Sequence, residues 1–314
     1  MLALAGGVGG SKLASGLADI AGDGLAVIVN TADDFDHLGL RICPDLDTVT
    51  YALAGIANPQ TGWGIVDETW SCLERLAALG GDDWFRLGDK DLATHILRTH
   101  YLRQGETLTA VTERFRQRLR IAPAIFPMTD QPVRTLVRTA QGELGFQHYF
   151  VKLRCEVPVL GFLFQGIEAA TIPAPLEAQL SPVLHDLIVI CPSNPFVSVD
   201  PILSVPHLRE RLLAMRRPVV AVSPIIGGAA VKGPAAKMMR ELAMPVSPVS
   251  IARHYRGLIH GIVIDEVDAA HAAEVEKLGI HVRTAETLMT GKERQRKLAE
   301  TCIRFGEAIA CTLQ

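Results

Sequence analysis

The first thirty residues limit the possible architectures most. Met1–Ala5 is a short apolar run, Gly6–Lys12 reads GGVGGSK, a helical pattern covers about Ser11 to Asp19, and Leu25–Asn30 (LAVIVN) is apolar and β-branched. A strand, a glycine-rich turn, a helix and a second strand, in that order, open a doubly wound parallel sheet. Ligands of such sheets bind at the carboxyl ends of the strands. The segment leaving the second strand is therefore expected to be functional.

That segment, Asn30–Thr48, reads NTADDFDHLGLRICPDLDT and gathers Asn30, Asp33, Asp34, Asp36, Asp45 and Asp47. A glycine turn holds phosphates with backbone N–H groups. Carboxylates beside it repel phosphate unless a divalent cation lies between them. The pair reads as a metal-dependent site for a phosphorylated ligand, with Asp33, Asp34, Asp45 and Asp47 as Mg²⁺ ligands. A plainer reading covers part of it: Asp45 follows Pro44 and suits an N-cap, and Asp47 suits a helix dipole. It leaves Asp33 and Asp34 unexplained. GGVGGSK lacks the spacer of a P-loop, and Lys12 stands where G-x-G-x-x-G requires its third glycine. Its functional reading is a diphosphate facing the N–H groups of Gly9, Gly10 and Ser11, with Lys12 adding charge. Its plain reading is a tight strand–helix turn. Gly6, Gly7, Asn30 and Thr31 complete the candidates at this end.

From Asp45 to about Arg120 the pattern is helical, with candidates at Asp45–Ala54, Asp67–Leu79, Lys90–Arg103 and Thr107–Leu119. This is too long for one crossover and reads as an inserted cap. VRTLVRT, a Gln-Gly turn and LGFQHYFVKL then read as a hairpin. Strand and helix candidates alternate again from Asp186: DLIVI, PVVAVS, GIVID and a short IHV. The expected fold is α/β, a Rossmann-like, doubly wound, mostly parallel sheet with an inserted helical cap and a small β-hairpin. The Rossmann-like domain takes residues 1–44 and 181–314, and the cap with its hairpin takes 45–180.

Two later strands end in CPSNP (191–195) and SPIIGGAAVKGPA (223–235). Ser193, Asn194 and Ser223 suit hydrogen bonds to a base or ribose, and equally suit plain turns. Lys232 suits a phosphate or carboxylate, or solvent. LGDKDLATHILR places Asp91, Thr94, His95 and Arg98 on or near one helix face. Trp63, Trp70, Trp84 and Tyr51 suit a flat wall for an aromatic substrate, or core anchoring. No G-x-S-x-G elbow or cysteine–histidine dyad is visible, which favours direct in-line transfer assisted by a metal.

Composition excludes several classes. Net charge is −3 without a basic half, against nucleic acid as a partner. The six cysteines are scattered without a C-x-x-C pair, as buried thiols of a reducing compartment. No apolar run reaches bilayer length without Gly, Pro or charge, so a cytoplasmic protein without a membrane partner is expected.

GGVGGSKL, VNTADD, RICPDLDTV, GWGIVDETW, RLGDKDLATHILR, PMTDQPV, CPSNPFVSVDPIL, SPIIGGAAVKGPA and LMT (288–290) occur in this order across nearly the whole chain. In these motifs the chain resembles the 2-phospho-L-lactate transferase family of coenzyme F-420 biosynthesis. The resemblance implies transfer of a phospho-acid from its guanosine diphosphate ester, such as lactyl-2-diphospho-5′-guanosine, to the terminal hydroxyl of the deazaflavin Fo, releasing GMP. It implies Mg²⁺, a homodimer, the nucleotide in the Rossmann-like half and the deazaflavin under the cap. Asp34, Asp45 and Asp47 are then the catalytic candidates, with Asp34 favoured over Asp33. Asp91, His95 and Arg98 line the acceptor side, and Ser193, Asn194, Ser223 and Lys232 meet the donor. The transferred acid, whether phospholactate, phosphoenolpyruvate or 3-phosphoglycerate, is not legible. The rivals are a non-catalytic nucleotide-sugar-binding regulator of the gluconeogenesis-factor type and a Rossmann oxidoreductase.

Overall fold

The computed structural model describes residues 1–313. At its centre lie β1 (Leu2–Ala5), β2 (Ala26–Val29), β3 (Ala124–Pro127), β4 (Ile188–Ile190), β5 (Val219–Val222), β6 (Gly261–Asp265) and β7 (His281–Ala285). They form one seven-stranded sheet in the order β7-β6-β5-β4-β1-β2-β3, with every neighbouring pair parallel. β1 is the pivot, with Leu2 opposite Ala26 on one side and Ile188 on the other. Strand order reverses between β1 and β4, which opens a crevice at their carboxyl ends.

Side-chain alternation explains why these strands are apolar throughout. Leu2, Leu4, Ala26 and Ile28 face one core, whereas Ala3, Ala5, Val27 and Val29 face another on the opposite side of the sheet. Both faces of a parallel sheet are covered, so neither set of alternate positions meets water. The second core is closed by α1 (Gly7–Ala21), α2 (Pro44–Leu53) and the C-terminal helix Lys292–Leu313, through Leu13, Leu17, Leu46, Val49, Leu298, Cys302 and Phe305.

α2 is followed by α3 (Ser71–Ala78), α4 (Asp89–Arg103) and α5 (Leu108–Arg118), within a few residues of the expected helices. The boundary drawn for the insert needs correction. β3 lies inside 45–180, yet it pairs with β2 and belongs to the central sheet. The insert is therefore two pieces, helices before β3 and a small antiparallel sheet after it.

That small sheet has three strands, Gly142–Gly145, Arg134–Thr139 and Gly161–Gln165, with Arg134–Thr139 in the middle. The expected strand LGFQHYFVKL stops at Gly145, and His148–Lys152 forms a π-helical turn. Phe146 and Tyr149 are buried there, and Phe146 stacks on Phe150 with ring centroids 5.5 Å apart. Contacts at positions 146, 149 and 150 follow a helical period rather than a strand's alternation. α1 begins at Gly7 and not near Ser11, so the glycines form the first helical turn instead of a loop before it. Among the described residues no helix is long and apolar enough to cross a membrane.

Candidate active site

A cavity of about 770 Å³ opens at the crevice beside β1 and β4. Part of its lining is the N-terminus of α1, where Gly6, Gly7, Val8, Gly9 and Lys12 meet Pro192, Ser193 and Asn194 from the loop after β4. Ser193 Oγ accepts from the Gly6 N–H at 3.0 Å and donates to the Gly6 carbonyl at 2.9 Å. The packing leaves no room for a side chain: a Cβ on Gly9 would strike the Pro192 carbonyl oxygen, and one on Gly6 would strike the Asp45 carboxylate. Gly7 adopts φ +59°, which disfavours other residues. The N-cap residue of α1, Gly6, supplies no side-chain cap, so the first-turn amides after Gly7 are available to an anion. Lys12 Nζ reaches the Met289 carbonyl at 3.0 Å, and Lys232 Nζ reaches that of Thr61 at 2.8 Å. Burial and the nearby Lys232 charge hold the Lys12 ammonium below its usual pKa. Two neighbouring ammonium groups beside a helix N-terminus suit a diphosphate.

The acidic residues meet this glycine turn. Asn30 lies buried behind it, and its side-chain amide donates to Asp33, to Asp45 Oδ2 at 2.9 Å and to the Val197 carbonyl at 3.1 Å. Ser198 Oγ donates to Asp45 Oδ2 at 3.3 Å, and the Gly7 N–H bonds the same carboxylate. Asp45 thus does not cap its own helix, and the plain reading of that residue fails. Burial raises the Asp45 carboxyl to about 6, against the opposing hydrogen bonds from Asn30, Ser198 and Gly7. Burial, together with the charges of Asp45 and Asp34, pushes Asp33 well up as well.

Not every expected ligand faces the cavity. Asp34 lies outside its lining, fully buried beside Cys43, with Oδ1 lacking a hydrogen-bond partner; burial raises its carboxyl to about 8. Asp47 lines the cavity, but the Arg98 guanidinium grips both its oxygens. Asp33 and Asp45 are the carboxylates that line the cavity, converge on one amide and have no ion-pair partner among the described residues. An all-oxygen carboxylate pair without a cationic partner fits Mg²⁺, which would displace the protons that burial retains.

The remaining candidates separate cleanly. Asp91 and His95, from α4, line the cavity, and Arg98 is buried behind them. Gly10, Ser11 and Thr31 lie outside the lining; Ser11 Oγ donates to the Val8 carbonyl within its own helix. Ser193, Asn194 and Ser223 line the cavity with side chains already engaged locally. Asn194 Oδ1 accepts from Phe196 N at 3.0 Å, and Ser223 Oγ bonds both N and O of Ile225 at 3.1 Å. These hydroxyls and this amide shape turns, so a base here would meet main chain and apolar surface.

Another part of the lining is aromatic. Trp84, Phe85, Phe146 and Phe150 line it, with Phe35 and His37 packed behind Trp84. Trp63 and Tyr51 also line the cavity, whereas Trp70 is outside it and holds Arg86 over its ring at 4.4 Å. Phe85, Phe146, Phe150 and Thr287 escaped notice in the sequence, whereas Ser198, Leu288 and Met289 lay inside recognised motifs without being given a role. Of the missed residues, Phe146 and Phe150 carried a usable signal, their i, i+4 spacing.

Residues 1–297 match the family described as 2-phospho-L-lactate transferase CofD. The chain belongs to the 2-phospho-L-lactate transferase family. As a member of that family it is a transferase. It is 42% identical to the phosphoenolpyruvate transferase of Streptomyces griseus over 318 residues, covering 98% of this chain and 99% of the relative. It is 40% identical to the 2-phospho-L-lactate transferase of Methanosarcina mazei over 306 residues, 97% and 99% of the two chains. The fold is similar to a crystal structure of a UPF0052 family member from Bacillus halodurans, with TM-score 0.62, 14% identity and coverage of 96% and 99%.

Proposed function

We propose that this transferase moves a phospho-acid, 2-phospholactate or phosphoenolpyruvate, from its guanosine diphosphate ester to the terminal hydroxyl of the deazaflavin Fo, releasing GMP, in coenzyme F-420 biosynthesis. The observation that supports it best is the mixed lining of the cavity. One part is a helix N-terminus flanked by buried carboxylates, and another part is a cluster of aromatic rings. Its volume suits two substrates held together, which favours direct transfer over a covalent intermediate.

In this reading the first-turn amides of α1, with Lys12 and Lys232, seat the diphosphate. Asp33 and Asp45, aligned by Asn30, hold Mg²⁺. When bound, that cation offsets charge on the transferring phosphoryl and the departing GMP. Trp84, Phe85 and the stacked Phe146–Phe150 pair pack against the ring system of Fo, by face and by edge, and exclude water around it. A homodimer in the cytoplasm completes the proposal.

Incubation with Fo, Mg²⁺ and each guanylylated phospho-acid tests it. The expected result is release of GMP in step with a new, more acidic fluorescent product. Binding of both ligands without turnover would instead support a nucleotide-binding regulator. Competition among the three guanylylated donors identifies the acid.

A further inference from the structure

The cap-side wall of the cavity holds a buried polar chain that the proposed reaction leaves unused. It runs from Asp47 on α2 through Arg98 and His95 to Asp91 on α4, and ends at Tyr51 on α2. Asp47, Asp91 and His95 offer ligand atoms within 4.8 Å of one another, an arrangement that invites a metal. Arg98 argues against one. Its guanidinium already grips both oxygens of Asp47, and its Nη1 lies 3.2 Å from His95 Nδ1. An arginine has only donors to offer, so the Nη1 contact, shorter than the 3.6 Å from Nδ1 to Asp47 Oδ2, assigns Nδ1 as acceptor and the ring proton to Nε2. A protonated Nε2 is no metal ligand.

That Nε2 is buried without a hydrogen-bond partner, 3.3 Å from Asp91 Oδ1 but out of alignment with it. Oδ1 accepts from the Tyr51 hydroxyl at 2.6 Å, and the backbone N–H of Asp91 is held by Glu68 Oε1 at 2.8 Å. Asp91 Oδ2 has no hydrogen-bond partner among the described residues, and Asp91 lines the cavity. A carboxylate flanked by two donors stays an acceptor, and the free oxygen is suited to an incoming O–H. The other cavity carboxylates are engaged: Asp33 and Asp45 at the glycine turn, Asp47 by Arg98.

We propose that Asp91 accepts the hydrogen bond of the acceptor's attacking hydroxyl, and that His95 is its positioning residue, with a tautomer fixed by Arg98. This rests on the proposed transfer to a hydroxyl acceptor. Arg98 and Asp47 then act at one remove, by denying His95 the other tautomer. His95 tightens onto Asp91 as the hydroxyl arrives.

Two independent measurements test it. In the ligand-free wild type, nitrogen NMR of labelled histidine is expected to show His95 with its proton on Nε2. An Nδ1–H tautomer overturns the proposal whether or not the enzyme turns over. In two-substrate kinetics, Asp91→Asn is expected to lower kcat by about 100-fold with the donor KM unchanged. His95→Gln keeps an N–H near the Nε2 position and is expected to stay close to wild type. His95→Phe is expected to lose about 10- to 100-fold in kcat/KM for the acceptor. Matching melting temperatures separate these losses from misfolding. Wild-type kcat in Asp91→Asn, or equal behaviour of His95→Gln and His95→Phe, overturns it. Failure of the wild type to transfer to any hydroxyl refutes the proposed function, and the NMR result still decides the tautomer.

Discussion

At the scale of single residues, the buried carboxylates set how the protein responds to pH. In the folded chain Asp45 titrates at about 6 and Asp34 at about 8, against an ordinary 3.8, because burial penalises the charged forms; Asp33 is displaced in the same direction. The folded state thus holds protons that the unfolded chain has released. Their contribution to stability is full below the unfolded pKa and is lost as pH rises through the folded values. The melting temperature of the ligand-free protein is expected to fall between about pH 4 and about pH 8, and Asp45→Asn to flatten the lower half of that fall. A melting temperature unchanged across the interval would refute this account. Asp45→Asn is also expected to lower kcat by about 100-fold or more while leaving circular dichroism unchanged. The acidic cluster was legible as a cluster from its residue types. The division of labour within it was not, because it depends on partners far along the chain. Val197 and Ser198 hold Asn30 and Asp45, and Arg98 holds Asp47.

At the scale of elements, the glycine turn serves by close approach. Gly9→Ala would place a methyl group against the Pro192 carbonyl and push α1 away from the loop after β4. The expected cost is about 1–3 kcal/mol of stability. Donor KM is expected to rise several-fold more than acceptor KM; equal changes in both would show that the turn is only structural. In the aromatic part of the lining, Phe150→Ala removes half of a stacked pair and is expected to raise the acceptor KM with the donor KM unchanged, as two-substrate kinetics would show. Strands and long helices were readable from apolar periodicity. The His148–Lys152 turn was not, since a short aromatic run suits either a strand or a helix, and here burial of Phe146 and Tyr149 together decided it. The Gly161–Gln165 strand was missed for a related reason: its side chains are only partly buried and show no alternation.

At the scale of the whole molecule, the opening strand–turn–helix–strand unit announced a doubly wound sheet, and the sheet has that order with all strands parallel. Assignment of β3 to the cap failed because four residues, AIFP, give too little pattern to reveal a long-range pairing. Metal and diphosphate are proposed to share the seat at the crevice, so their binding energies are coupled. GDP with Mg²⁺ is expected to raise the melting temperature well beyond the sum of either added alone, with about 2.7 kcal/mol of stabilisation once the ligand reaches about a hundred times its Kd. Additive shifts in calorimetry would separate the metal from the nucleotide.

The bond between Gly6 and Ser193 spans 187 positions of sequence. The glycine turn therefore depends on a clamp that lies more than half of this sequence away from it. A fragment ending before β4 would own every glycine of the turn and still lack the side chain that fixes it in place.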